Sequence, residues 1–418
     1  MRMTTRLFFI LAATATVACS REPGLGPITQ LPRDLTAGER QLVAANNRFA
    51  FAFFGALARQ QPADDNVFVS PVSVAMALGM TVNGAGGATR DAMLAALQLG
   101  GLPMAEVNAG YRGVIDLLRG LDPRVALTLA NSIWYRNGVQ PGQGFLDDTR
   151  TYFDADVRAL DFSSPTAAQT INDWVNAQTN GKIPRIVDSP IPDSVIMYLI
   201  NAIYFKGTWA QQFDPALTRT APFNLRGGGS VAVPTMVHGD KAPARVHVGA
   251  PGDVTVVDLP YGGGAWAMTI VLPPSASGID SLASGLTQAR WDGWMASLDS
   301  AGVFVTMPKF TLRWELELKD VLATLGMGNA FCGAVPEPDF SRLYPAGGAC
   351  ITKVKHKTFV DVNEEGTVAA AVTSVEIGVT SAPQELRIVV DRPFLVAIRE
   401  RLSGTILFLG RVTNPAAN

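Results

Sequence analysis

The stretch from His356 to Thr373 constrains the fold of this chain more than any other. It begins as a strand. Val354, His356, Thr358, Val360 and Val362 fall on one side of a two-residue repeat; Lys353, Lys355, Lys357 and Asp361 fall on the other, with Phe359 among them. A charged turn containing a glycine follows, Asn363 to Gly366. Residues 367 to 380 are then small or β-branched, lack proline and carry one charge, Glu376. Such a segment can pair as a strand, yet loop signals surround it. A strand-competent segment kept beside an existing strand is suited to later insertion.

Insertion makes a demand that the residues can be tested against. Thr367, Ala369, Ala371, Thr373, Val375, Ile377 and Val379 alternate onto one face, and none is charged. Glu376 falls on the other face with Val368, Ala370, Val372, Ser374, Gly378 and Thr380. An unpaired charge on the buried face would cost several kcal/mol, enough to stall insertion. The pattern meets the demand. The plainer reading is an exposed surface loop of small residues.

Other motifs give this segment a setting. Asn66 to Ser73 reads Asn-Val-Phe-Val-Ser-Pro-Val-Ser, and Ile171 to Asn176 is followed by Thr179-Asn180-Gly181-Lys182-Ile183. Asn201-Ala-Ile-Tyr-Phe-Lys-Gly-Thr-Trp209 comes next, and Arg392-Pro-Phe394 with Gly404 to Val412 closes the chain. Together with Glu364-Glu365-Gly366-Thr367 and Ala369-Ala370-Ala371, this ordered set resembles the serpin family over about Thr36 to Pro415. The resemblance implies an α+β fold of three β-sheets and eight to nine helices. It also implies an exposed reactive-centre loop, about 364–385, able to insert into the main sheet. The hinge of that loop would be Glu364, Glu365, Gly366, Thr367, Val368, Ala369, Ala370, Ala371, Val372 and Thr373. Val368 departs from the family, where an acidic residue is frequent, but it lies on the outward face. Ser70, Ser73, Asn201 and His356 match the shutter, a polar cluster beneath the sheet, with an Asn201–His356 hydrogen bond as a latch. Trp209 matches the breach, where the loop first enters, although a plain core tryptophan would read the same.

Composition fits one large unit. Of 418 residues, 48% are hydrophobic and 17% charged, enough for a substantial core. No linker divides the middle: Gly227-Gly228-Gly229 and Gly262-Gly263-Gly264 read as hairpin tips. A net charge of −2 gives no case for nucleic acid, and alternating Lys353, Lys355 and Lys357 read as a solvated sheet face. Arg2 and Arg6 precede an apolar run from Leu7 to Val17, too short to span a bilayer. Its end, Thr16-Val17-Ala18-Cys19, resembles a bacterial lipoprotein signal, with Thr16 where an aliphatic residue is preferred. The expectation is a signal peptide over 1–18, lipidated Cys19, a flexible tether over 19–36 and a folded body over 37–418. An ordinary secretory signal cut near Ala15 or Ala18 is the other reading. Both export the chain, to the periplasm or beyond the cell. Export permits a disulfide between Cys332 and Cys350; two separate thiols remain equally open. Cys-x-x-Cys and His-Glu-x-x-His are absent from the sequence, so neither a metal nor a cofactor is expected.

Three function classes can be compared. A hydrolase needs a nucleophile, a base and an orienting acid, but there is no Gly-x-Ser-x-Gly elbow, and His238 and His247 have no serine motif beside them. The serpin resemblance implies instead an inhibitor that traps a serine endopeptidase as a covalent complex, with no catalysis of its own. In the family's usual loop the residue before the cut is the seventeenth from the first hinge residue, so with Glu364 as the first the resemblance implies a reactive bond at Thr380–Ser381, within one or two residues. A Val-Thr-Ser sequence suits pockets for small or β-branched side chains, as in elastase-like or subtilisin-like proteases. The third class is a serpin-fold binding protein that no longer inhibits, which charge, bulk or proline in the hinge would favour. Pro103 to Leu121, which by the resemblance matches the helix where some relatives bind polysaccharide, has only two basic residues, Arg112 and Arg119, so no heparin-type cofactor is expected. The expected state is a monomer, touching membrane only through Cys19.

Overall fold

The structure, a computed structural model, describes residues 26–238, 243–367 and 386–417. The chain opens with helix α1 (Ala37–Gln60), strand β1 (Val67–Val69) and helices α2 (Pro71–Gly84), α3 (Gly87–Ala96) and α4 (Met104–Leu118). Strand β2 (Val125–Arg136), helix α5 (Gln143–Phe153), strand β3 (Ala155–Leu160), helix α6 (Ala167–Gln178) and strand β4 (Met197–Thr208) follow. Five strands come next: β5 (Arg219–Asn224), β6 (Ser230–Val237), β7 (Ala244–Gly249), β8 (Thr255–Tyr261) and β9 (Trp266–Leu272). Helices α7 (Ile279–Ser284) and α8 (Gln288–Ala296) lead to β10 (Asp299–Pro308), β11 (Phe310–Glu317) and α9 (Lys319–Leu322). The rest is β12 (Lys355–Asn363), β13 (Gly366–Thr367), β14 (Leu386–Val389), β15 (Phe394–Glu400) and β16 (Ile406–Val412).

The strands form an α+β architecture. One sheet runs β11-β12-β13-β4-β2-β3. A second runs β1-β16-β15-β9-β8-β7, and β10 continues it into a small third sheet by pairing with β7, β6 and β14. With nine α-helices among the described residues, this is the expected three-sheet layout, the third sheet being joined through one long strand. Both glycine triplets lie in turns between antiparallel neighbours, β5–β6 and β8–β9.

Local chemistry sets the helices that matter here. Thr36 and Glu39 form a reciprocal capping box that starts α1. Ser70 caps α2, with Pro71 at its first position, and α2 is buried on nearly every side behind the six-stranded sheet. The other side of that sheet carries α6. There Ile171 and Val175 pack with Trp134 and Ile200 in a separate small core. This explains why Ser132 to Trp134 are all buried, where a one-sided sheet would alternate.

One expectation fails in part. Residues 26–36 read as tether by composition, yet they lie against the body. Ile28 donates its N–H to Gly263 O at 2.7 Å, and Arg33 makes two hydrogen bonds to Glu39, at 2.7 and 2.6 Å. Proline lowers the entropic cost of ordering such a segment as readily as it marks a linker. Cys19 lies outside the described residues.

Candidate functional site: a seated hinge above a parted sheet

Thr208 marks one end of β4 and Met197 the other. At the Thr208 end the short strand β13 sits between β12 and β4, pairing Thr367 with Val362 and Gly207, and Gly366 with Asn363 and Thr208. Gly366 has φ +151°, and a Cβ there would meet Gly207 O at 2.1 Å. Only glycine allows so close an approach. Trp209 frames the hinge from above, donating its backbone N–H to Glu365 O and its indole N–H to Asn363 O, both at 2.9 Å. It stacks on Tyr261 with ring centroids 4.4 Å apart, and the Tyr261 hydroxyl meets Thr367 Oγ1 at 2.6 Å.

Glu364 is fastened beside them. Its carboxylate takes the Lys309 ammonium at 2.8 Å and the Thr218 hydroxyl at 2.6 Å, and its carbonyl accepts from Phe213 N–H at 3.0 Å. Burial by itself would raise this carboxyl, but the hydrogen bonds from Lys309 and Thr218 outweigh it and hold the group below the ordinary carboxylate range. Glu364, Gly366 and Thr367 are all buried and Glu365 is half-buried. The expected loop range of 364–385 is therefore corrected at its start: the first four residues belong to the sheet edge and its turn. Backbone pairing and three side-chain partners hold them there.

Below Thr367 the sheet changes character. Among the described residues β12 and β4 are joined only through β13. Toward the Met197 end lies a cavity of about 390 Å³. Asn201 and Ile203 line it from β4, His356 from β12, Ser73 and Ala77 from α2, and Cys350 from below. The linker from α6 to β4 crosses in front and touches both edges. Asn180 Nδ2 donates to the Tyr204 hydroxyl at 3.2 Å, Lys182 lies 4.8 Å from the Phe359 ring centre, and Lys355 pairs with Asp188 at 2.5 Å. Asn172 pins the linker to α6, accepting from Ile186 and Val187 N–H at 2.8 and 2.9 Å.

The polar residues behind this parting divide between its two sides. Ser70 donates its hydroxyl to Leu407 O at 2.7 Å and its N–H to His356 Nε2 at 3.0 Å. Ser73 N–H donates to Ser70 Oγ at 3.4 Å. His356 is buried, and desolvation lowers its pKa to about 4. It is therefore neutral at pH 7, and because Nε2 accepts, its proton sits on Nδ1. Asn201 turns away, donating to Asn131 Oδ1 at 2.8 Å, and its own Oδ1 is buried without a partner. The expected Asn201–His356 hydrogen bond is not made. The two residues belong to strands that do not pair at this level.

The chain that forms this seated hinge above parted strands matches a known family. The model for serpins (serine protease inhibitors) matches residues 44–415. The chain is a serpin. It is 36% identical over 386 residues to the leukocyte elastase inhibitor of Bos taurus, covering 90% of this chain and all of that one. Among solved structures, the native thermophilic serpin tengpin aligns with a TM-score of 0.79 at 27% identity, covering 93% of this chain and 97% of tengpin. Human thyroxine-binding globulin with thyroxine aligns at 0.80 and 29%, covering 91% and 100%.

The serpin brings Glu364, Glu365, Gly366, Thr367 and Trp209 together at one end of the sheet. It places Ser70, Ser73 and His356 on one side of the parting and Asn201 on the other. Cys332 and Cys350 are joined as a disulfide with Cα atoms 5.0 Å apart. Val368, Ala369, Ala370, Ala371, Val372, Thr373, Thr380 and Ser381 lie outside the described residues. Sequence reasoning missed Tyr261, Lys309, Thr218 and Asn131. Asn131 could have been found, because it interrupts the inward face of β2 set by Leu127, Leu129 and Ile133. The other three act across more than fifty residues, and no local pattern marks them.

Proposed function

We propose that this serpin inhibits a serine endopeptidase by suicide-substrate trapping. The protease's serine oxygen attacks the Thr380 carbonyl carbon, and the Thr380–Ser381 amide breaks. Ser381 leaves as the amine with a proton from the protease's base, and an ester holds the enzyme to Thr380. The segment from Val368 onward then enters between β12 and β4, below the seated Thr367. Loop insertion of this kind, already known for serpins as a family, adds a strand to a sheet and releases stored strain. Thirteen residues at ~3.3 Å each would carry the enzyme roughly 43 Å. New ladder hydrogen bonds to both neighbouring strands, at about 1 kcal/mol each, would drive the movement.

One observation carries this reading: β13 is already seated and aligned between two strands that, among the described residues, only it joins, so on insertion Ala369 and Ala371 would take the next inward positions of its register. Small uncharged residues there favour trapping over the non-inhibitory class. The Val-Thr-Ser sequence points to elastase-like or subtilisin-like targets, in keeping with the name of the bovine relative. Export and lipidation at Cys19 complete the proposal, and place the encounter outside the cytoplasm.

Mixing the mature protein with elastase and subtilisin tests it. An SDS-stable complex and a released fragment beginning at Ser381 are expected. Complete cleavage without complex, or a new N-terminus far from Ser381, would overturn it.

A further inference from the structure

Residues 26–36 are fastened at two points, and both fastenings are built. At the first, Ile28 packs against the main core and its N–H bonds Gly263 O, in the β8–β9 turn. Gly263 N–H in turn donates to the buried carboxylate of Asp122 at 2.5 Å. A Cβ on Gly263 would meet the Ile28 side chain at 2.9 Å, so the turn is shaped to receive it. At the second, the Arg33 guanidinium grips Glu39 with both arms, and Glu39 is buried against Gly113 of α4, where a Cβ would meet its Oε1 at 1.9 Å. Neither fastening resembles a passing contact of a loose terminus.

The first fastening lies beside the hinge. Gly262, next to Gly263, donates its N–H to Thr208 O at 2.8 Å, and Thr208 pairs with Gly366. Nine chain steps separate Cys19 from the fastened Ile28, and whatever their conformation they reach at most about 32 Å. β4 runs twelve residues from Met197 to Thr208, which is roughly 40 Å. The Met197 end of the molecule thus lies further from the tether's origin than the tether is long.

From this we infer that residues 26–36 are an orienting strap, which turns the hinge end of the serpin toward the phospholipid surface that holds Cys19. The inference rests on the lipid-anchor reading given above. A protease reaching the loop would work close to that surface, and insertion would carry it away from the bilayer. Without the strap the tether would run from Cys19 to Thr36, seventeen residues with a reach of about 60 Å, and orientation would be lost.

The geometry can be tested apart from native lipidation. The mature chain beginning at Cys19 has one free thiol, because Cys332 and Cys350 are bonded. That thiol is coupled to a maleimide phospholipid in phosphatidylcholine vesicles. A fluorescent donor is placed through an azide-bearing amino acid, either at Ala216, exposed near Glu364, or at Asp193, exposed near the Met197 end. Energy transfer to a lipid-bound acceptor should be at least twofold greater from position 216. Ile28→Asp combined with Arg33→Ala should bring the two positions close to equality. Equal transfer in the strapped protein, or greater transfer from position 193, would overturn the inference. The mass of the N-terminus from cells reports separately on native lipidation.

Discussion

The two ends of the parting between β12 and β4 are built on opposite plans. At the Thr208 end the seated residues are engaged on several sides: Thr367 by Tyr261, Glu364 by Lys309 and Thr218, and the backbone by Trp209 and Phe213. At the Met197 end the residues that face one another bond elsewhere. His356 accepts from Ser70, Asn201 donates to Asn131, and a buried amide oxygen is left over. A buried acceptor without a donor costs about 1–3 kcal/mol. One end is thus finished and the other held short of completion. Strand addition needs this asymmetry: a start whose register is fixed, above edges that gain from a new neighbour.

The largest expected effect comes from blocking the step between the two ends. Ala369→Arg would place a cation on the inward face just below the seated strand. Cleavage at Thr380 should persist, and SDS-stable complex should fall by more than tenfold. Val368→Arg, on the outward face, should retain most of it. Equal trapping by both variants would mean that alternation does not govern insertion. Thr367 is unsuited to this comparison because it is already buried, so substituting it also damages the uncleaved protein.

Unseating the start is the next perturbation. In Gly366→Ala the new methyl meets backbone, which no side-chain movement relieves, and φ there is unfavourable for alanine. A loss of about 2–4 kcal/mol in denaturant unfolding is expected, within the range for strained backbone positions and steric clashes. Wild-type stability would show that the hinge is not held as described.

The other end can be probed by acid. His356 has a folded pKa of about 4, below the ordinary 6.5, so the unfolded chain takes up its proton first. Its contribution is therefore complete above about pH 6.5 and is lost as pH falls toward 4. At about 1.4 kcal/mol per unit this amounts to roughly 3 kcal/mol. His356→Gln should flatten the stability profile across that window; an unchanged profile would locate the acid sensitivity elsewhere.

The smallest effect sharpens the contrast. Tyr261→Phe keeps the ring stacked on Trp209 and removes only the hydroxyl that meets Thr367. About 1 kcal/mol should be lost, visible as a modest fall in melting temperature with trapping retained.

Much of this was legible in the sequence because it is periodic. Alternation in β12 places His356, Thr358, Val360 and Val362 inside, and they are buried. The order of the motifs carries the sheet topology. What could not be read is distance between segments that are far apart along the chain. Lys309 and Glu364 are separated by local sequence with no shared pattern, and so are Tyr261 and Thr367. Pairing of Asn201 with His356 assumed adjacent strands, and strand separation leaves no trace in residue type. The docking of Ile28 was hidden for a different reason, since a proline- and glycine-rich stretch reads the same whether free or fastened. The disulfide depended on a Cα separation that spacing does not fix.

The linker in front of the parting has a consequence of its own. Its contacts differ in kind from hinge to far end: a tyrosine hydroxyl on Asn180, an aromatic face on Lys182, then the ammonium of Lys355 between Asp188 and Glu315. Only the last of these is an ion pair between partly exposed groups, and mobile ions weaken such pairs over a Debye length of about 8 Å at physiological ionic strength. The linker's grip therefore has an upper part without an ion pair and a lower part that holds one and is the more sensitive to salt. The ionic composition of the surroundings acts on the last stretch of the passage, where the inserted strand would come to rest, and also on the Lys309–Glu364 pair at its entrance.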